Sequence, residues 1–188
     1  MEVAVKKRIL ALPLVLVAAV CMVLVSACGG PSSEELIKQD LTAQFDEVKK
    51  SDSAFIKGVE SASGDDFDQL GIDAKTFAKA YLKGFDYKIE SVKVNEDKGT
   101  AKAKVTVTCK SMSDILNAFT TQVEAETESM TSLSEDEIYK RCGEIMMQAV
   151  KDTKPKDTAC TFTYKLNDDN AWEADDSATS EMIDAMMA

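Results

Sequence analysis

The chain has 188 residues and a net charge of −11, with 33 acidic side chains, 22 basic ones and no histidine. That balance argues against nucleic acid as a partner, because neutralising phosphates takes a basic face. The missing histidine removes Ser-His-Asp and Cys-His nucleophilic pairs and the commonest metal ligand, while 45% apolar residues is too many for a disordered chain.

Lys6, Lys7 and Arg8 form a short cationic stretch, and no further charge appears before Glu34. Residues 9–25 between them are nearly continuous Leu, Val and Ala. A basic stretch, an apolar run and small residues before a cut site describe an export signal. Val25-Ser26-Ala27-Cys28 resembles the lipobox of bacterial lipoproteins: a branched aliphatic residue, two small ones, then cysteine. The resemblance implies cleavage after Ala27, lipid on the Cys28 sulfur and a lipid-anchored protein at the outer face of the cytoplasmic membrane. An apolar run of about 20 residues could instead stay as a spanning helix. Pro13 and the small residues before Cys28 favour cleavage, and Cys21 would leave with the signal. The expected organisation is a signal peptide over 1–27, a lipidated cysteine and short flexible tether over 28–33, and one extracytoplasmic domain over 34–188. Removing the signal takes away three cations and one anion, which leaves −13.

Ser32 and Glu35 have capping-box spacing, and Ile37, Leu41, Phe45 and Val48 then repeat as one helical face. A second short helix carries Phe55 and Val59 and breaks at Ser63-Gly64-Asp65-Asp66. Asp73 caps a third helix with Phe77 and Tyr81, which ends near Gly84. The period then changes to two. Tyr87 and Ile89 alternate with Lys88 and Glu90, and Val92 and Val94 continue on the opposite phase, so a bulge is expected near Ser91. After a turn at 95–99, residues 101–109 alternate strictly, with Val105, Val107 and Cys109 on one face and Lys102, Lys104, Thr106 and Thr108 on the other. Two helices follow, one carrying Leu116, Phe119 and Val123, the next opening on a Ser134/Glu137 capping box and ending before Pro155. Residues 158–166 form another strand with Cys160, Phe162, Tyr164 and Leu166 inward, then come a turn, a short strand around Trp172 and a final helix with Met182, Ile183 and Met186.

Helices, a hairpin, two helices and a second hairpin predict an α+β fold: an antiparallel sheet of about four strands packed against two longer helices, with a short C-terminal helix. This order, over roughly residues 34–175, resembles the cystatin-like or NTF2-like domains of bacterial lipoproteins. The resemblance implies a curved sheet wrapped on helices with a concave side, and no particular activity.

No catalytic constellation, cofactor loop or metal motif emerges. Asp65, Asp66, Asp68 and Asp73 suggest a calcium loop, and Gly71 falls at the sixth position counted from Asp66. Leu70 takes a ligand position and Phe77 the twelfth, so an acidic loop with a helix cap is the better reading. Three cysteines follow Cys28, an odd number. Cys109 and Cys160 are the candidate disulfide, and three small buried side chains are an equally good account. Met146, Met147, Met182, Met186 and Met187 could form an adaptable surface but read more simply as core, as do Trp172, Tyr87, Phe162 and Tyr164. Lys88, Lys102, Lys104 and Lys165 should share one sheet face with Thr106, Thr108, Thr161 and Thr163. That face is the candidate contact for an anionic cell-wall polymer or an acidic envelope protein, against the plain alternative of a solvated sheet surface. The expected function is a membrane-anchored, non-catalytic ligand- or partner-binding accessory module. A purely structural or immunity-type surface protein is the alternative, and an envelope enzyme using carboxylates a further one.

Overall fold

The computed structural model describes residues 23–24, 30–50 and 53–188. Cys28 and the expected cleavage site lie outside the described residues. Within them the chain runs β1 (Val23–Leu24), α1 (Ser33–Lys49), α2 (Ser53–Gln69), α3 (Ala74–Leu82), β2 (Asp86–Asn95), β3 (Thr100–Lys110), α4 (Met112–Met130), α5 (Glu135–Asp152), β4 (Pro155–Leu166), β5 (Ala171–Ala174) and α6 (Ser177–Met187). The sheet is antiparallel, in the order β1-β5-β4-β3-β2. Its body is the four-stranded meander β2–β5, and the two-residue β1 adds Val23 opposite Trp172 at the outer edge. The α+β class read from the sequence is the class observed.

The helix starts follow the local chemistry. Ser32 and Glu35 form a reciprocal capping box on α1, Ser134 and Glu137 form another on α5, and Asp73 caps α3 by accepting from the Thr76 amide at 2.7 Å. Each such cap contributes about 1 kcal/mol. The break expected near Gly64 is a kink, with Gly64 at φ 48° and ψ −140°. The chain is helical again beyond it and buries Phe67. Asp65, Asp66 and Asp68 therefore sit on a helix, which corrects the acidic loop expected there.

β3 pairs along its length with β2 on one side and β4 on the other. Ala101, Ala103, Val105, Val107 and Cys109 point inward beside Cys160, Phe162 and Tyr164 of β4. Against this inner face lie α1, which runs along β2 and β5, α3 beside β3, and α6 along β4. Phe45 of α1 stacks on Tyr87 at 4.8 Å between ring centroids and meets Phe162 edge-on at 5.8 Å, geometries worth about 0.5–1.5 kcal/mol each beyond their area. The buried Asp40 carboxylate ties α1 to β4 by accepting from the Tyr164 hydroxyl at 2.9 Å. The α4–α5 hairpin enters this core through the ends nearest the sheet, with Met112 and Ile115 on α4 and Met146 and Val150 on α5. Met182 and Met186 are also buried there, so the methionines fill the core.

β5 pairs with β4 only over 164–166, which leaves the rest of the β4 edge open to other strands. α6 covers it: the Thr161 amide donates to the Glu181 carboxylate at 2.8 Å, and the Asp175 amide donates to the Thr163 carbonyl at 2.9 Å. Covering an edge in this way blocks intermolecular strand pairing.

The candidate disulfide is corrected by the register. Cys160 faces Val105, whereas Cys109 faces Lys156, four rows along. Four rows are about 13 Å at roughly 3.3 Å per residue, beyond the ~7 Å that a bridge spans. Cys109, Cys142 and Cys160 are free thiols.

Gly143 lets α5 touch the loop after α2: a Cβ there would lie 1.9 Å from the Leu70 carbonyl oxygen. Replacing a glycine inside a helix with alanine ordinarily stabilises by up to about 1 kcal/mol. Here the clash with backbone reverses the sign. Gly143→Ala is expected to lower stability by about 1–3 kcal/mol, read as a lower denaturant midpoint. An unchanged or higher midpoint would mean that α5 does not sit this close.

Candidate functional site: the open face of the sheet

The helices occupy the inner face, and the outer face of β2, β3 and β4 carries polar side chains toward solvent. Its composition is set by the bulge. The β2–β3 register shifts between Ile89 and Ser91, so Glu90 is the extra residue. Before the shift the even-numbered residues Asp86 and Lys88 face outward; after it Ser91, Lys93 and Asn95 do, and Val92 turns in to 6% exposure. A one-residue slip of this kind exchanges the two faces of a strand.

Taken across the strands, the outward rows read Asn95–Thr100–Lys165, Lys93–Lys102–Thr163, Ser91–Lys104–Thr161, Lys88–Thr106–Ala159 and Asp86–Thr108–Asp157. Of the four lysines read from the sequence, two are neutralised. Lys88 pairs with Glu90 at 3.0 Å, and Lys165 with Asp175 at 3.6 Å. Lys102 and Lys104 have no acidic partner among the described residues and are joined by Lys93, directly opposite Lys102. These three exposed ammonium groups surround a shallow depression of about 370 Å³, which Ser91, Asn95 and Thr161 also line. Sequence reading named the change of phase in β2 but not its consequence, that Lys93 joins the outward set. Glu90 at the bulge and Glu181 at the β4 edge are engaged by Lys88 and by the Thr161 amide, and further acids lie toward the ends of the strands. At one end Asp86 is bound by Lys49 at 2.8 Å, and Asp157 accepts from the Thr108 hydroxyl at 2.7 Å. At the other end Glu96 and Asp97 stand in the β2–β3 turn, beside the turn holding Asp168 and Asp169, which is joined to it by Leu166 donating to the Gly99 carbonyl.

Trp172, Tyr164 and Phe162 are buried between sheet and helices, as their reading as core had it. A larger open groove of about 890 Å³ lies between α4, α5 and the loop at Leu70–Gly71. Lys140, Arg141 and Lys151 line it, and its arginine is already satisfied: Arg141 grips Glu126 with two hydrogen bonds, at 2.7 and 2.8 Å, and meets Glu144 at 2.6 Å. Hydrogen bonds from Arg141, then from Gln122, hold the Glu126 carboxyl down at about 2. A depressed carboxylate contributes stability that is present above its unfolded value near 4.5 and lost as pH falls toward 2. Glu126→Gln should therefore flatten the acid limb of a stability–pH curve between those values; an unchanged limb would show that the pair contributes nothing.

Burial pushes the Cys109 and Cys160 thiols up to about 11, and raises Cys142 together with the nearby Glu126. A raised thiol is a poor nucleophile at neutral pH. Lys110, 3% exposed, donates to the Val150 carbonyl at the end of α5, and burial followed by repulsion from Lys83 and Lys154 lowers its pKa. Among the described residues no group of three Cys, Asp or Glu side chains is placed to hold a metal ion, and no helix is long and apolar enough to cross a membrane.

No protein-family model matches the chain, and no curated protein matches it. Among solved structures it is similar to ycdA of Bacillus subtilis, described as a candidate lipoprotein, at 18% identity and a TM-score of 0.41. The match covers 98% of this chain and 58% of that one, so the chain spans less than two thirds of that structure.

Like charges directly opposite one another destabilise a sheet by about 0.2–1 kcal/mol. Lys93→Glu should convert the Lys93–Lys102 repulsion into an attraction and raise the melting temperature by roughly 1–4 °C. A fall in melting temperature would show that the two ammonium groups do not repel across this pair.

Proposed function

We propose that the chain is the precursor of a lipid-anchored extracytoplasmic protein, cut between Ala27 and Cys28, whose domain binds an anionic ligand without catalysis. The observation that carries the binding role is the Lys93–Lys102–Lys104 group. Three unpaired cations gather on one open face of a chain whose net charge is −11. Such an arrangement costs stability when empty and gains when an anion covers it.

The anchor rests on the Val25-Ser26-Ala27-Cys28 motif and the basic and apolar run before it. Helix α1 begins at Ser33, so about five residues link Cys28 to the domain. At roughly 3.5 Å each they hold it within about 20 Å of the lipid. Cleavage after Ala27 would also remove β1 and leave β5 as the edge of the sheet, held by β4 and α1.

The anchor is tested by growing cells on labelled palmitate and weighing the purified protein. The full-length chain should take up label and give a mature mass starting at a lipidated Cys28, and Cys28→Ala should lose both. A wild-type chain that stays unlabelled and keeps residues 1–27 would overturn the anchor. Crosslinking in native membranes should then capture an anionic component that is lost when Lys93, Lys102 and Lys104 are all changed to Gln. Capture indifferent to those lysines would remove the binding role from this face.

A further inference from the structure

We infer that the ligand of the open face is a linear polymer of phosphodiester-linked repeats, lying across the strands over the two rows Lys93–Lys102–Thr163 and Ser91–Lys104–Thr161. The inference rests on the anionic-ligand reading above and narrows it.

The face itself sets the first constraint. It is open and shallow, with no buried donor and no converging amides. Each exposed ammonium–anion contact contributes about 0–1 kcal/mol, too little to retain a compact ion. A chain that repeats its charge engages several such contacts through one binding event. Lys102 and Lys104 stand two residues apart on β3, about 7 Å at roughly 3.4 Å per residue, and β2 to β4 adds about 10 Å across the strands. Successive charges along a polymer can occupy that band; a single oxyanion covers only part of it.

Side-chain chemistry sets the second. A planar carboxylate is best held by the fork of arginine, whereas lysine meets phosphate as a point charge. The arginine among the described residues, Arg141, is on the far hairpin and engaged by Glu126 and Glu144. The band offers lysine only, interleaved with the hydroxyls of Ser91, Thr161 and Thr163, which suit the ester and hydroxyl oxygens of a sugar or polyol phosphate. An acidic protein would need a different surface. Protein interfaces concentrate their energy in buried aromatic, Met or Arg anchors, and the only apolar side chain in the five outward rows is Ala159.

The position of the acids sets the third. Glu96, Asp97, Asp168 and Asp169 stand at the turn end of the band, Asp86 and Asp157 at the other, and at the β4 edge Glu181 is engaged by the Thr161 amide and Asp175 by Lys165. A bilayer is flat and would meet these acids together with the lysines. A narrow chain crossing the strands can lie between them. Screening shortens the reach of the surrounding acid to about 10 Å at 0.1 M salt.

The experiment uses the full-length chain in neutral detergent and four probes: poly(glycerol phosphate), poly-glutamate of equal charge, inorganic phosphate, and vesicles rich in anionic phospholipid. The polyol phosphate polymer should bind, and three lysine contacts predict an affinity loss of about twentyfold between 50 and 200 mM salt. Changing Lys93, Lys102 and Lys104 together to Gln should weaken binding about tenfold or more. Lys88→Gln with Lys165→Gln, which removes cations already paired, should change it less than about twofold. Equal binding of poly-glutamate, or equal binding to the vesicles, through the same three lysines would overturn the phosphodiester assignment and leave the anionic-ligand reading standing. Competition by inorganic phosphate at equal charge would overturn the polymer. Failure of every probe to bind would sink the assignment and the reading on which it rests.

Discussion

The ladder that β3 makes with β2 and β4 is the constraint on which the rest of the molecule depends. β3 is bonded along both sides, so its alternation fixes the facing of its neighbours. Val105 and Val107 must point where the helices lie, and this sends Lys102 and Lys104 outward. The single irregularity, Glu90 at the bulge, is what makes the outer face unusual. It reverses the phase of β2 so that Val92 joins the core and Lys93 comes opposite Lys102. Like charges directly opposite are unfavourable. The arrangement persists because exposing Val92 would cost more: burying a valine side chain contributes about 1.5–3 kcal/mol.

The inner face is closed from three directions. α1 crosses β2 and β5 and is fixed at its middle by Asp40 and Tyr164 and nearer its end by Phe45 on Tyr87. α3 packs on β3. α6 returns along β4 and supplies, through Glu181, the acceptor that its free edge lacks. Trp172, Tyr164 and Phe162 fill the middle of the resulting core. The α4–α5 groove has already paired its arginine with the chain's own carboxylates.

Lys93, Lys102 and Lys104 occupy two neighbouring rows of one sheet face, while other lysines, such as Lys75 and Lys79 on α3 and Lys140 on α5, lie on the helices. Salt limits electrostatic reach to about 8–10 Å under physiological conditions, so an anion placed over the band would respond to the lysines under it more than to the net charge of −11. The net charge still bears on what can approach. It disfavours broad anionic surfaces.

The sequence by itself determined what local patterns encode. The capping boxes at Ser32 and Ser134, the Asp73 cap, the strict alternation of β3 and the change of phase near Ser91 are contained in a few neighbouring residues, and each element formed where its pattern placed it. The lipobox-like pattern Val25-Ser26-Ala27-Cys28 is likewise contained in a few neighbouring residues. Register and proximity were decided only by the tertiary structure. Cys109 and Cys160 alternate inward on adjacent strands, and nothing local states that they are four rows apart. Lys88 and Lys165 look equivalent to Lys102 in pattern, and only the folded chain brings Glu90 and Asp175 beside them. Asp65, Asp66 and Asp68 read as a loop because Gly64 breaks a helix, whereas burial of Phe67 restores one. Side-chain period is a property of consecutive residues, while pairing depends on which strands meet and at what offset. The three free lysines therefore became visible as a group only once β2, β3 and β4 were aligned.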